Sequence, residues 1–357
     1  MPYTDASRRL IEWLGIDWPI IQAPMAGVST PQMAAAVSNA GGLGSIGVGA
    51  MTAAAAAQAI DAFRARSSRS LNVNVFCHRP AQSDPPRESA WLDRLRPLFT
   101  AQQAQPPAAL TEIYTSFTVN EAMFTTLLGA RPTVVSFHFG LPRPEWIRAL
   151  RAAGIVLFAT ATSLAEAKAS VEAGVHVIVA QGYEAGGHRG IFDPDGPDDQ
   201  LGTVALTRLL TSALTVPIIA AGGIMDGWGI AAVLKLGAAA AQMGTAFLAT
   251  DESAADAAYR NALCSDAAYH TVMTRAISGR PARALANRFT AWGTQVRADE
   301  VPAYPIAYDA GKALHAAAQA AGESGFAAQW AGQGAPLARK LGAGALVTEW
   351  VRELSGC

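Results

Sequence analysis

From Pro19 to about Phe247, short apolar runs alternate with alanine-rich segments of helical character, the pattern that a parallel α/β structure imposes on a chain. Eight such runs can be counted: PIIQAPM (19–25), GLGSIG (42–47), LNVNVF (71–76), TVVSFHFG (133–140), IVLFAT (155–160), VHVIVAQG (175–182), VPIIAAGG (216–223) and AAAQMGTAF (239–247). In the sixth, Val175, Val177 and Val179 alternate with His176, Ile178 and Ala180, so both faces are largely apolar, as a strand covered on both sides requires. Eight strands, each followed by a helix or crossover, predict an α/β fold of the (β/α)8 TIM-barrel type, although a doubly wound open sheet shares the same alternation. The barrel is favoured by where the unusual residues fall. Gln22 to Met25, Asn74, His138, Gln181, Gly222 with Gly223, and Gln242 to Thr245 stand at or just beyond strand ends, on the rim where barrel sites are built.

Two segments break the repeat. Residues 78–107 are rich in proline, arginine and polar side chains and read as an insertion after the third strand that runs over the barrel mouth. Beyond about Leu263 the strand alternation stops, and 263–357 reads as a smaller, mostly helical lid domain whose end packs back on a barrel spanning 1–262.

The sixth run leads directly into GYEAGGHRG, where Gly182, Gly186, Gly187 and Gly190 permit positive φ or close approach of a ligand. His188 stands among them, with an ordinary pKa of ~6.5 suited to proton chemistry or ligand polarisation, while a plain hydrogen-bonding role is the alternative. His138 poses the same choice; His78, His176, His270 and His315 read as structural. The stretch from Val216 to Thr250 places a Gly-Gly strand end, a helix and a QMGT strand end in succession. In a barrel, the loops after the last two strands commonly bind phosphate through main-chain N–H groups at a helix N-terminus. Gly223 would admit the phosphate and Thr245 would donate its hydroxyl; the alternative is a tight strand-to-helix turn alone. GLGSIGVG at 42–49 lacks both the spacing and the following acid of a dinucleotide fingerprint.

Composition narrows the partners. The 357 residues are 51% hydrophobic and carry 27 basic against 28 acidic side chains, a net charge of -1 that gathers neither nucleic acid nor an anionic membrane. Cys77, Cys264 and Cys357 fit neither a disulfide framework nor a metal motif, which points to the reducing cytoplasm and to no bound metal. Glu12 and Asp17 interrupt the N-terminal region where a signal peptide would be apolar, so neither secretion nor membrane insertion is expected. Monomer and homodimer remain equally open.

Taken together, QAPMAG (22–27), NVNVF (72–76), SFHFGLP (136–142), QGYEAGGHRG (181–190), IIAAGGI (218–224), QMGTAFL (242–248), SGRPAR (278–283) and PAYPIAYDAGK (302–312) resemble the nitronate monooxygenases, formerly 2-nitropropane dioxygenases. The last block, with SFHFG, looks like their class I branch. The resemblance implies FMN, molecular oxygen and an alkyl nitronate, propionate 3-nitronate above all, converted to a carbonyl compound and nitrite in a detoxifying reaction. It places FMN against Gln22, Ala23, Pro24, Met25, Asn74, Gln181, Gly186, Gly187, Gly222, Gly223, Gln242, Met243, Gly244 and Thr245. His188 matches the family's catalytic histidine, and His138, Tyr304, Tyr308 and Lys312 are the implied substrate contacts. With Tyr308 and Lys312 four apart, a helix from about Ile306 would put them on one side. An FMN-dependent NAD(P)H:quinone or enoyl-thioester reductase of similar fold is the nearest alternative. A non-redox phosphate-binding barrel and a flavin carrier without turnover are more distant ones.

Overall fold

The computed structural model describes residues 4–356; Cys357, the odd cysteine, lies outside them, while Cys77 and Cys264 are free thiols. Helix α1 (Asp5–Leu14) precedes a regular succession: β1 (Ile20–Gln22), α2 (Pro31–Asn39), β2 (Gly44–Gly47), α3 (Ala53–Arg64), β3 (Leu71–Phe76), α4 (Pro85–Ala101), α5 (Glu121–Ala130), β4 (Val134–His138) and α6 (Pro144–Ala152). It continues through β5 (Val156–Ala161), α7 (Leu164–Glu172), β6 (Val177–Gln181), the two-residue β7 (Gly187–His188), α8 (Thr203–Ala213), β8 (Ile218–Ala221), α9 (Gly227–Lys235) and β9 (Ala240–Met243). The last part holds α10 (Ala257–Leu263), β10 (Thr271–Thr274), β11 (Ala282–Leu285), α11 (Arg288–Gly293), α12 (Ile306–Ala320) and α13 (Ala343–Ser355).

Eight strands are parallel in the order β1-β9-β8-β6-β5-β4-β3-β2, and a parallel bridge between Ile21 and Leu43 joins the two ends of the sheet. The expected barrel is therefore the observed one, with a strand in each of the eight apolar runs. Its floor is sealed from below by α1, whose Leu10 and Leu14 pack with Val134, Phe158, Val179 and Ile219. Burying a leucine or isoleucine side chain at each such position contributes about 1.5–3 kcal/mol. Helix α13 lies against α9 and α2, where its Trp350 is fully buried beside Phe247. It thus occupies the place of the eighth barrel helix, and residues 248–342 form one long excursion between the eighth strand and that helix.

The excursion holds its own core, and the segment 78–107 belongs to it rather than crossing the mouth. Asp84 caps α4 by accepting from Arg87 N, with Pro85 and Pro86 in the first turn where a missing N–H costs nothing. Trp91, Leu95 and Phe99 of α4 then pack with Phe289, Ile306 and Leu314. No residue of 78–107 lines the cavity described below. The excursion is also less purely helical than its composition implied: β10 and β11 pair antiparallel, and β11 pairs in turn with β7, setting His188 opposite Ala282 and Gly187 opposite Arg283.

Candidate active site

At the C-terminal ends of the parallel strands lies a cavity of about 660 Å3, within the roughly 300–1,000 Å3 of small-molecule and cofactor sites. Ala23, Pro24 and Met25 line it beyond β1, Asn74 in β3, His138 in β4 and Gln181 in β6. Gly186, Gly187 and His188 line it from the next loop, Gly222 and Gly223 beyond β8, and Gln242, Gly244 and Thr245 around the end of β9. Tyr304, Tyr308 and Lys312 line it from α12 and the segment just before that helix. Two residues expected at the cofactor, Gln22 and Met243, do not line it. Gln22 is fully buried, donating to Ser29 Oγ at 2.8 Å and accepting from Ser45 N at 2.8 Å, so it shapes the loop after β1. Met243 faces the outer helices, among Ile230, Leu234 and Trp350.

The ends of β8 and β9 carry the features of an anion cradle. Gly222 and Gly223 have φ of 124° and 70°, a backbone course that β-carbon-bearing residues adopt at a cost. Among the described residues, the N–H groups of Gly223, Gly244 and Thr245 donate to no protein acceptor. Gly244 and Thr245 are half-buried and Gly223 is exposed, and three free N–H donors along one cavity wall suit an anionic ligand. Thr245 Oγ1 accepts from Gly332 N at 2.9 Å and keeps its own proton for a further acceptor.

The loop carrying His188 is fastened on every side. Glu184 turns back to accept from Thr203 N through both carboxylate oxygens, at 2.9 and 2.8 Å, capping α8 where Gly202 offers no side chain. Arg189, almost fully buried, makes a two-point ion pair with Asp198 at 2.8 and 2.9 Å and donates to Gln181 O at 2.6 Å. Gln181 spends its side chain on the same loop, donating to His188 O at 3.0 Å and accepting from Gly190 N at 2.7 Å. His138 does likewise: Nε2 lies 3.2 Å from His188 O and Nδ1 3.0 Å from Thr160 Oγ1. With both ring nitrogens engaged, His138 borders the cavity but holds the His188 backbone instead of offering a nitrogen to substrate.

His188 itself packs its ring against Trp330, Tyr304, Phe139 and Tyr308, at centroid distances of 4.9, 5.4, 5.7 and 6.0 Å. Burial pushes its pKa down to about 3, and the neighbouring His138, Arg280 and His78 push the same way. Burial likewise takes His138 down to about 4, against the opposing effect of its bond to the His188 carbonyl. Both imidazoles are neutral at pH 7. The phenols are neutral too: burial raises Tyr114 and Tyr308 to about 12 and Tyr304 well above the ordinary range. They are therefore hydrogen-bond donors, and the Tyr304 hydroxyl is buried with no partner. Lys312 Nζ sits 5.0 Å from the Tyr114 ring centre and 5.4 Å from that of Tyr308, and no carboxylate among the described residues pairs with it.

Tyr114, Trp330, Phe139 and Ser278 complete the constellation without having been singled out from the sequence. Tyr114 and Trp330 lie in loops with no periodic signal, and Phe139 was hidden in the strand motif SFHFG. Its φ of 74°, rare for a bulky side chain, is the backbone feature that turns its ring beneath the guanidinium of Arg280, 4.3 Å away.

A family model described as nitronate monooxygenase matches residues 7–353. A nitronate monooxygenase of Paraburkholderia phytofirmans is 59% identical over 97% of this chain and 95% of its own length. One from Pseudomonas aeruginosa is 52% identical over 99% and 100%. Among solved structures, a nitroalkane oxidase of Streptomyces ansochromogenes superposes with a TM-score of 0.88 at 41% identity, covering 96% of each chain. A glycine-shaped anion cradle, a neutral histidine and a ring of phenols at the barrel mouth are thus carried by a chain that belongs to the nitronate monooxygenase family of flavin-dependent oxidoreductases.

Proposed function

We propose that the chain binds FMN in this cavity and oxidises alkyl nitronates, propionate 3-nitronate foremost, with molecular oxygen to a carbonyl compound and nitrite. The unpartnered amides of Gly223, Gly244 and Thr245 fit the cofactor's phosphate, and the walls formed by Ala23–Met25, Asn74, Gln181 and Gly186 fit its ring system. When bound, FMN supplies the electron chemistry that side chains lack. The protein's own part is to hold an anion beside it and keep bulk water out.

The observation that carries this reading is the pairing of an uncompensated ammonium, Lys312, with a buried phenol, Tyr304, that has no partner. A nitronate bearing a carboxylate offers two anionic ends; the phenols donate to one while Lys312 attracts the other. The Lys312 side chain is exposed at the mouth, so its contribution is that of a partly solvated pair rather than a buried one. Lys312→Met keeps most of the bulk and removes the charge. The Michaelis constant for propionate 3-nitronate is expected to rise about threefold to tenfold, with that for an uncarboxylated nitronate nearly unchanged. Equal changes for the two substrates would assign Lys312 to the solvated rim. No helix among the described residues is long and apolar enough to cross a membrane; the cytoplasm is the compartment we propose.

A further inference from the structure

We infer that Ser278 is a positioning residue that holds His188 in a single tautomer, with its proton on Nε2 and a bare Nδ1 lone pair facing the cavity. Ser278 is fully buried at the turn before β11, and its Oγ lies 2.8 Å from His188 Nε2 and 3.3 Å from the carbonyl oxygen of Arg280. A hydroxyl has one proton to give. Given to the Arg280 carbonyl, it leaves the oxygen free to accept from Nε2–H, and the imidazole N–H, the hydroxyl and the carbonyl are all satisfied. Given to Nε2 instead, it orphans a buried carbonyl and forces the imidazole proton onto Nδ1. An unpaired buried acceptor costs about 1–3 kcal/mol, whereas a lone pair facing the cavity is satisfied by solvent or ligand.

Three further features fit this assignment. Among the described residues, nothing hydrogen-bonds to Nδ1, and unlike both nitrogens of His78 it is not sealed from the cavity. The ring cannot readily turn over, because Trp330 and Tyr304 pack against it and β7 fixes its backbone against Ala282. The neutral state of the ring at pH 7 means that a choice of tautomer exists at all. So held, His188 takes a proton from the cavity side and gives none there until it has done so. Beside His188, hydrogen bonds donated to an anionic substrate must then come from the phenols and Lys312 rather than from the imidazole.

The inference does not depend on which substrate is oxidised, because it concerns the protein's own protons. It is tested by nitrogen NMR of the full chain labelled with 15N-histidine, with and without added FMN, the His188 signals being identified among the six histidines by their absence in His188→Asn. Wild type and Ser278→Thr are expected to show a protonated Nε2 and a bare Nδ1. In Ser278→Ala the Nδ1–H form is expected to rise from almost none to about half. A wild-type ring protonated at Nδ1 would overturn the inference without any variant. A Ser278→Ala ring with its tautomer unchanged would also overturn it, even if that variant melted earlier or turned over more slowly, since packing alone would then explain the loss.

Discussion

His188→Asn is expected to retain FMN and to lose nitronate oxidation by on the order of a hundredfold or more, the lower bound for removing a group that takes part in proton transfer. The side chain faces the cavity from a loop held by Gln181, His138, Arg189 and the strand pairing with Ala282, so the loop itself survives the change. Some stability goes with the ring, which packs against Trp330 and Phe139, and a decrease of about 1–2 kcal/mol is expected. Steady-state nitrite release and flavin absorbance, measured on the same preparation, separate the two effects. Turnover near wild type in a flavin-loaded His188→Asn protein would remove His188 from the reaction.

Gly223→Val carries the second large effect, through the backbone and not through filled space. A β-carbon at Gly223 would meet only the Glu184 side chain, Cβ at 3.4 Å and Cγ at 3.9 Å, both ordinary contacts, but φ of 70° is strained for a β-branched residue. Relief of about 1–3 kcal/mol of strain requires the turn to move, and the turn carries an amide of the anion cradle. Flavin affinity is expected to fall about tenfold to a hundredfold, since each 1.4 kcal/mol is a factor of ten. Gly154→Val is the control. Its φ of 80° imposes similar strain in open space at the end of α6, on the side of the barrel away from the site. It should lower the melting temperature and leave flavin binding intact. Equal flavin occupancy in the two variants would place the phosphate elsewhere.

The barrel and most of its rim were legible because strand burial and glycine turns leave local marks. Each of the eight apolar runs contains a parallel strand, and the loop after the sixth carries the histidine that the cavity exposes. What escaped was decided by direction or by distant packing. Successive strand residues face opposite sides, so Gln242 lines the cavity while Met243 beside it joins the outer core. Gln22 is polar and at the rim yet turns inward to satisfy Ser29 and Ser45, contacts that only the folded chain brings within reach. His138 has the composition of a ligand-binding residue, but its two nitrogens are claimed by Thr160 and by the His188 carbonyl. Helix α4 was obscured by three prolines, two of which sit at its start where they favour a helix. Ser278 and Arg280 were visible in SGRPAR as a motif, but their action on His188 depends on a loop 90 residues earlier in the chain.

The account rests on electrons passing from a nitronate to FMN in this cavity, and anaerobic mixing tests that directly. Purified protein, reconstituted with FMN, is mixed without oxygen with propionate 3-nitronate while the visible spectrum is recorded. The flavin absorbance is predicted to bleach within the turnover time, and admitting oxygen is predicted to restore it with release of nitrite. Flavin that stays yellow with the nitronate but bleaches with NADH would contradict the account and assign the site to a reductase.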